Sequence, residues 1–239
     1  MKLLIKRLLQ PLLAISQNGK TIQMAAVWDL PTRLFHWLLV AAVAAAITTG
    51  LVGANWMQWH GRAGLTIVGL VVFRLVWGFV GNRHARFSSF VPTRRVLLSY
   101  LRGSWHGLGH TPLGALSVLA LLGLLLLQVG TGLFSYDEIA FAGPLAPLVS
   151  EELSLRLTGL HRQLSTALFV LLGLHVVAIL FYAWIKKVKL IKPMVTGFKE
   201  VNASQTDVAD EPAGWLALVF ALGVAASAVY LASGGLLAK

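Results

Sequence analysis

The chain has 239 residues, 57% of them apolar and 12% charged, where a soluble domain carries about 25% charged residues. That deficit, with a mean hydropathy of +0.75, places it among integral membrane proteins. The absence of cysteine excludes disulfides, thiolate-bound iron–sulfur clusters, thiol nucleophiles and covalent haem attachment through C-x-x-C-H. A net charge of +11 would fit nucleic acid in a soluble protein; here the charge is distributed as for a membrane surface, and no nucleic-acid partner is expected.

Residues 1–26 open with "MKLLIKRLLQPLLAIS". Lys6, Arg7 and Pro11 interrupt its apolar run and no small-x-small cleavage site follows, so it reads as a basic amphipathic helix on the cytoplasmic face. Five apolar runs follow at about 34–54, 60–80, 112–134, 160–184 and 213–233, each near the ~20 residues a helix needs to cross the hydrocarbon core. Thr111 and Pro112 mark a helix start, as N-cap and first helical residue. The stretch "PTRRVLLSYLRG" at 92–103 reads as a second interfacial helix, 200–212 as a linker and 213–239 as an additional span. That last run is rich in Ala and Gly and suits packing against another helix, a partner or a second copy.

Segments 1–33, 81–111 and 185–200 carry five Lys or Arg each, and 81–111 has no acid. All three fall on one side. The positive-inside rule makes that side cytoplasmic, with the N-terminus inside and the C-terminus periplasmic, in a bacterial inner membrane. The second outer loop is acidic, with Asp137, Glu138, Glu151 and Glu152.

Of seven histidines, His84, His106 and His110 fall in the cytoplasmic loop and read as interfacial or solvated. His36, His60, His161 and His175 fall within or at the ends of spans, where ionisable groups are costly and functional by default. His36 lies near the inner side; His60 and His161 lie near the outer side. His175 is fourteen residues after His161, roughly 21 Å deeper on nearly the same helix face. One ion cannot bridge that distance, so two sites are expected: His60 with His161 at the outer level, His36 with His175 at the inner. Paired imidazoles suit six-coordinate haem iron, and a lack of cysteine leaves non-covalent b haem. Zinc would need three or four clustered ligands, and a proton relay would want Asp or Glu within the spans.

Four arginines are candidates for haem propionates, because guanidinium pairs with carboxylate bidentately. Arg33 and Arg74 fall near the inner level, Arg62 and Arg162 near the outer; interfacial snorkelling accounts equally well for Arg33, Arg62 and Arg162. Gly50, Gly64, Gly69, Gly123, Gly130 and Gly173 suit either a macrocycle close to the backbone or helix packing.

The segments "VWDLPTRLFHW" (27–37), "WHGRAGLTIVGLVVFRLVWGFVG" (59–81), "GHTPLGALSVLALLGLLLLQVGTGLF" (109–134) and "LHRQLSTALFVLLGLHVVAILF" (160–181) resemble the bacterial di-haem cytochrome b561 family, in the branch related to the b-type cytochrome subunit of nickel–iron hydrogenases. The resemblance covers roughly 27–199. It implies an all-α four-helix transmembrane bundle binding two b haems, here with a fifth transmembrane helix. Its ligand pattern matches His36, His60, His161 and His175. It also implies electron transfer between the quinone pool and a periplasmic redox partner, a c-type cytochrome or a dehydrogenase. The acidic outer loop would suit a basic docking patch. Two other activities occur among such proteins. One is superoxide oxidation with quinone reduction, disfavoured by a net charge of −1 over 54–62 and 135–162. The other is anchoring and wiring a nickel–iron hydrogenase.

Overall fold

A computed structural model describes residues 15–17, 20–105, 107, 109–139, 141–202 and 213–237. Its frame is five long apolar helices: α1 (Leu30–Val52), α2 (Met57–Val80), α5 (Pro112–Leu133), α6 (Glu151–Trp184) and α8 (Trp215–Ala232). All five are long and apolar enough to cross a membrane. Short elements fill the connections at the end of the bundle expected from its basic residues to be the inner one: α3 (Phe87–Phe90), α4 (Arg94–Leu101) and α7 (Ile191–Thr196).

Local chemistry sets the helix starts. Asp29 caps α1, accepting from the Thr32 amide at 2.9 Å, with Pro31 in the first turn. Thr111 caps α5 and accepts from the Gly114 amide, as its Thr-Pro signal predicts. Ser150 caps α6, where Glu151 and Glu152 face the positive helix end. This start lies about nine residues before the expected 160, so α6 is about 51 Å long and projects past the ~30 Å hydrocarbon core.

The centre of the bundle is α2. It packs against α1 on one side, α5 on another and α8 along its back. Ala221 and Ala225 of α8 are buried, and the Val229 methyl lies where a Cβ on Gly69 would sit, 2.8 Å away. Small residues bring these backbones close, in the way membrane helices associate. Gly69 thus serves helix packing, and the fifth helix is integral to the bundle. By contrast α6 packs mainly on α5 and leaves most of its surface open.

The frame is not wholly helical. Strands β1 (Ile15–Gln17), β2 (Lys20–Ala26) and β3 (Phe198–Asn202) form an antiparallel sheet in the order β1-β2-β3. Residues 15–16 are therefore strand rather than amphipathic helix, and residues 1–14 lie outside the described part. Residues 200–202, expected in a linker, pair with Met24, Gln23 and Ile22, while 203–212 lie outside. This pairing ties the chain before α1 to the chain after α6. Val27 and Trp28 amides both donate to the Gly197 carbonyl.

Candidate functional site

The outer site is a cavity of about 380 Å³ among α1, α2, α5 and α6, within the size range of ligand pockets. His60, three residues into α2, and His161 on α6 meet there with ring centroids 6.0 Å apart and planes at 84°. Hydrogen bonds orient both rings. His60 Nδ1–H donates to the Ala46 carbonyl at 2.8 Å. His161 Nδ1–H donates to the Gln128 carbonyl at 2.9 Å, with the Thr131 hydroxyl oxygen at 3.3 Å. An imidazole that donates from Nδ1 presents a bare Nε2 lone pair, the state of a metal-ligating histidine. His161 Nε2 accepts from the Gln128 side-chain amide at 3.1 Å, and Gln128 Oε1 is buried without a partner among the described residues.

Two glycines make room for these rings. A Cβ on Gly50 would stand 2.9 Å from His60 Nδ1, and one on Gly132 would stand 2.9 Å from His161 Cε1. Gly50 therefore backs an imidazole as well as lining the cavity. Gly64 lines the cavity with open space where its Cβ would be, as a flat ligand requires. Phe141 roofs the cavity, stacked edge-on against His60 at 6.4 Å. Its amide is held by Asp137 Oδ1 at 2.8 Å. The acidic loop thus has a structural task besides any docking role, and Glu152 pairs with Arg156 at 2.6 Å on the surface.

The inner level is less ordered by hydrogen bonds. His36 and His175 lie near enough for their charges to interact, and His36 Nδ1 is buried without a partner among the described residues. The helical turn that carries His36 is anchored instead. Arg33 Nη1 donates to the Val195 carbonyl at 2.6 Å, and Trp37 Nε1 donates to Met194 at 3.3 Å. Fourteen residues of α6 separate His161 from His175, so one helix contributes to both levels.

The arginines divide. Arg162 lines the outer cavity. Arg62 lies over the Trp59 ring at 4.7 Å, an interfacial cation–π contact rather than part of the cavity lining. Arg33 is engaged with the Val195 carbonyl, its Nε buried without a described partner. Arg74, 2% exposed, lies over Phe87 and Phe90, near Asp29 and His110; its described contacts are with the inner-end connection rather than with His36 or His175.

His110 is not the solvated residue its loop position implied. Trp28 and Phe90 enclose its ring at 4.4 and 4.5 Å. Burial, then the Arg74 guanidinium and His84, push its pKa down to about 3. Sequence reading also missed Gln128 and Thr131. Two polar residues three apart on one face of an otherwise apolar span were the available signal.

Haem fits the outer site on this donor set. Metal–imidazole bonds of about 2 Å, with about 1 Å from each nitrogen to its ring centre, would put two imidazoles holding one iron roughly 6 Å apart, as His60 and His161 are. The open space at Gly64 and the Arg162 cation suit a flat macrocycle with acidic side chains. Among the described residues, no cluster of three or more His, Asp or Glu offers a competing metal site.

Comparison with known proteins agrees. Residues 27–197 match the family described as prokaryotic cytochrome b561. A "Probable Ni/Fe-hydrogenase 1 B-type cytochrome subunit" of Escherichia coli (strain K12) is 24% identical over 155 residues, covering 52% of this chain and 65% of that protein. A "Probable Ni/Fe-hydrogenase B-type cytochrome subunit" of Azotobacter vinelandii is 28% identical over 145 residues, covering 47% and 59%. One of the same description from Rhizobium leguminosarum bv. viciae is 26% identical over 146 residues, covering 48% and 61%. The chain thus matches less than two thirds of the length of these curated relatives. No solved structure matches. With five membrane-length helices and a family match over most of its length, the chain belongs to the prokaryotic cytochrome b561 family, multi-pass membrane cytochromes that hold b-type haem and take part in electron transport.

Proposed function

We propose that this protein carries electrons across the bacterial inner membrane between the quinone pool and a periplasmic redox partner, with two non-covalent b haems. The observation that carries this reading is the opposed pair His60 and His161, each bonded through Nδ1 to a backbone carbonyl. The inner pair, His36 and His175, would hold the second haem deeper on the same α6, without the carbonyl bonds of the outer pair.

Bound haem iron supplies one-electron exchange between its ferric and ferrous states. The chain's own residues do the rest. His60 and His161 hold the outer iron, and His36 and His175 the inner. The Ala46 and Gln128 carbonyls fix the tautomer of the outer ligands and raise their basicity. Arg162 offsets propionate charge at the outer cavity. Arg33 and Arg74 supply cationic charge at the inner end, and Arg62 at the outer rim. Phe141 and its loop shield the outer cavity from water. On the positive-inside rule the basic connections would face the cytoplasm, with the N-terminus inside, the C-terminus outside and the outer site toward the periplasm.

The names of the relatives suggest a second form of the same reading, no better supported than the first, in which the periplasmic partner is a nickel–iron hydrogenase. Purification from native membranes distinguishes a hydrogenase from a c-type cytochrome by what is retained. The transport claim is tested in proteoliposomes. A quinol added on one side should reduce the haem, and an impermeant oxidant confined to the other side should reoxidise it. Reoxidation only from the quinol side would contradict transmembrane transfer.

A further inference from the structure

We infer that α4 and the turn after it form a binding site for the phosphate headgroup of an anionic phospholipid. The helix is amphipathic, and at 100° per residue its polar arc holds Arg94, Arg95, Ser99 and Arg102, with Leu98 among them. The opposite arc holds Val96, Leu97 and Tyr100. The Tyr100 hydroxyl bonds the Tyr182 hydroxyl of α6, so the helix is anchored on the bundle by that arc.

The arginine arc stays open. Arg94, Arg95, Leu98, Ser99, Arg102 and Ser104 line one cleft. Gly103, at φ +75°, turns the chain so that the Ser104 amide reaches the Ser99 carbonyl at 2.9 Å, closing the cleft's end. Thr93 caps the helix start. No Asp or Glu occurs anywhere in residues 81–111, so this connection offers the guanidiniums no carboxylate of its own. Three guanidiniums match the chemistry of a phosphodiester.

A lipid is the occupant that position selects. The helix lies between a span ending at Val80 and one starting at Pro112, hence at the membrane boundary. Leu98, 49% exposed, sits inside the arginine cleft, and Leu101 and Val91 are exposed beside it. A free anion has no use for these apolar groups; a glycerophospholipid contacts them with its acyl chains. Basic residues at such a surface contribute about five-fold in affinity each at low salt.

The test is native mass spectrometry of the full chain in detergent, with phosphatidylglycerol or phosphatidylcholine of identical acyl chains. Wild type should retain phosphatidylglycerol about ten-fold better. Arg102→Gln should lower that preference about five-fold, and Arg94→Gln with Arg95→Gln and Arg102→Gln should abolish it. Lys186→Gln with Lys187→Gln and Lys189→Gln removes the same charge from the neighbouring exposed connection and should preserve it. An unchanged melting temperature confirms that the variants fold, and Arg102→Gln, on an exposed side chain, remains informative if the triple variant does not. Equal retention of both lipids by wild type, or equal loss in the arginine and lysine variants, would overturn the site. Displacement of the lipid by millimolar glycerol phosphate would also overturn it, showing a free-anion site.

Discussion

The two histidine levels differ in what holds them. At the outer level, backbone carbonyls of α1 and α5 fix both rings, and Gly50 and Gly132 leave space behind them. At the inner level His36 Nδ1 has no described partner, and the order comes from its flanks, where Arg33 and Trp37 bond the Val195 and Met194 carbonyls. The outer imidazoles are oriented by the protein itself. The inner ones are positioned by their helices and the bonds on their flanks. Ligand basicity is one of the few ways a protein tunes haem, so under the proposed two-haem reading the contrast would give the two levels different electronic settings on one shared helix.

Breaking the outer level alone gives the largest effect. Gly132→Val places a branched side chain where His161 Cε1 lies 2.9 Å from a Cβ position. The purified variant should lose the outer haem, leaving about half the reduced b-haem absorbance, while the inner signal persists. Retention of both haems would show that His161 does not need this space. Thr131→Val is milder. It keeps the volume and removes the hydroxyl beside His161 Nδ1. Loss of an outer-shell partner typically costs 10–100-fold in metal affinity, and because the Gln128 carbonyl remains, about ten-fold faster haem loss is expected. A shift in the outer potential but not the inner, read by redox titration, separates this role from general destabilisation.

The third prediction concerns the inner end. His110 is held neutral well below its ordinary pKa of 6.5, down to about 3. Between those values the unfolded chain binds a proton that the folded chain does not, so stability is lost as pH falls below about 6.5. The limiting slope is about 1.4 kcal/mol per pH unit; residual exposure of the residue reduces the expected loss to about 1–2 kcal/mol at pH 4.5. His110→Phe should flatten the fall in melting temperature between pH 7 and 4.5. An equally steep fall in that variant would move the acid sensitivity elsewhere.

Much of this molecule was legible from its residues. Apolar runs gave five helices with ends mostly within a few residues, because hydrocarbon thickness constrains them. The histidine spacing anticipated that His60 and His161 meet, since position along a straight helix converts directly into depth and direction. What escaped was long-range. Nothing in "SQNGKTIQMAA" announces that its strand partner is Phe198–Asn202, more than 170 residues away. The mixed segment "EELSLRLTG" hid the first turns of α6, although Ser150 followed by two acids is a capping signal. Arg74 has the spacing of a haem-facing residue, yet it meets Phe87 and Phe90 because α2 ends where that aromatic connection folds back. Gln128 and Thr131 became recognisable only once α5 and α6 lay side by side.

The central claim is that His161 and His175 serve different haems on one helix. The most direct measurement is haem content and low-spin electron paramagnetic resonance of purified wild type, His161→Ala and His175→Ala. Two b haems per wild-type chain, with each variant keeping the signal that the other loses, is the predicted result. One haem per wild-type chain, or the same signal lost in both variants, would contradict it.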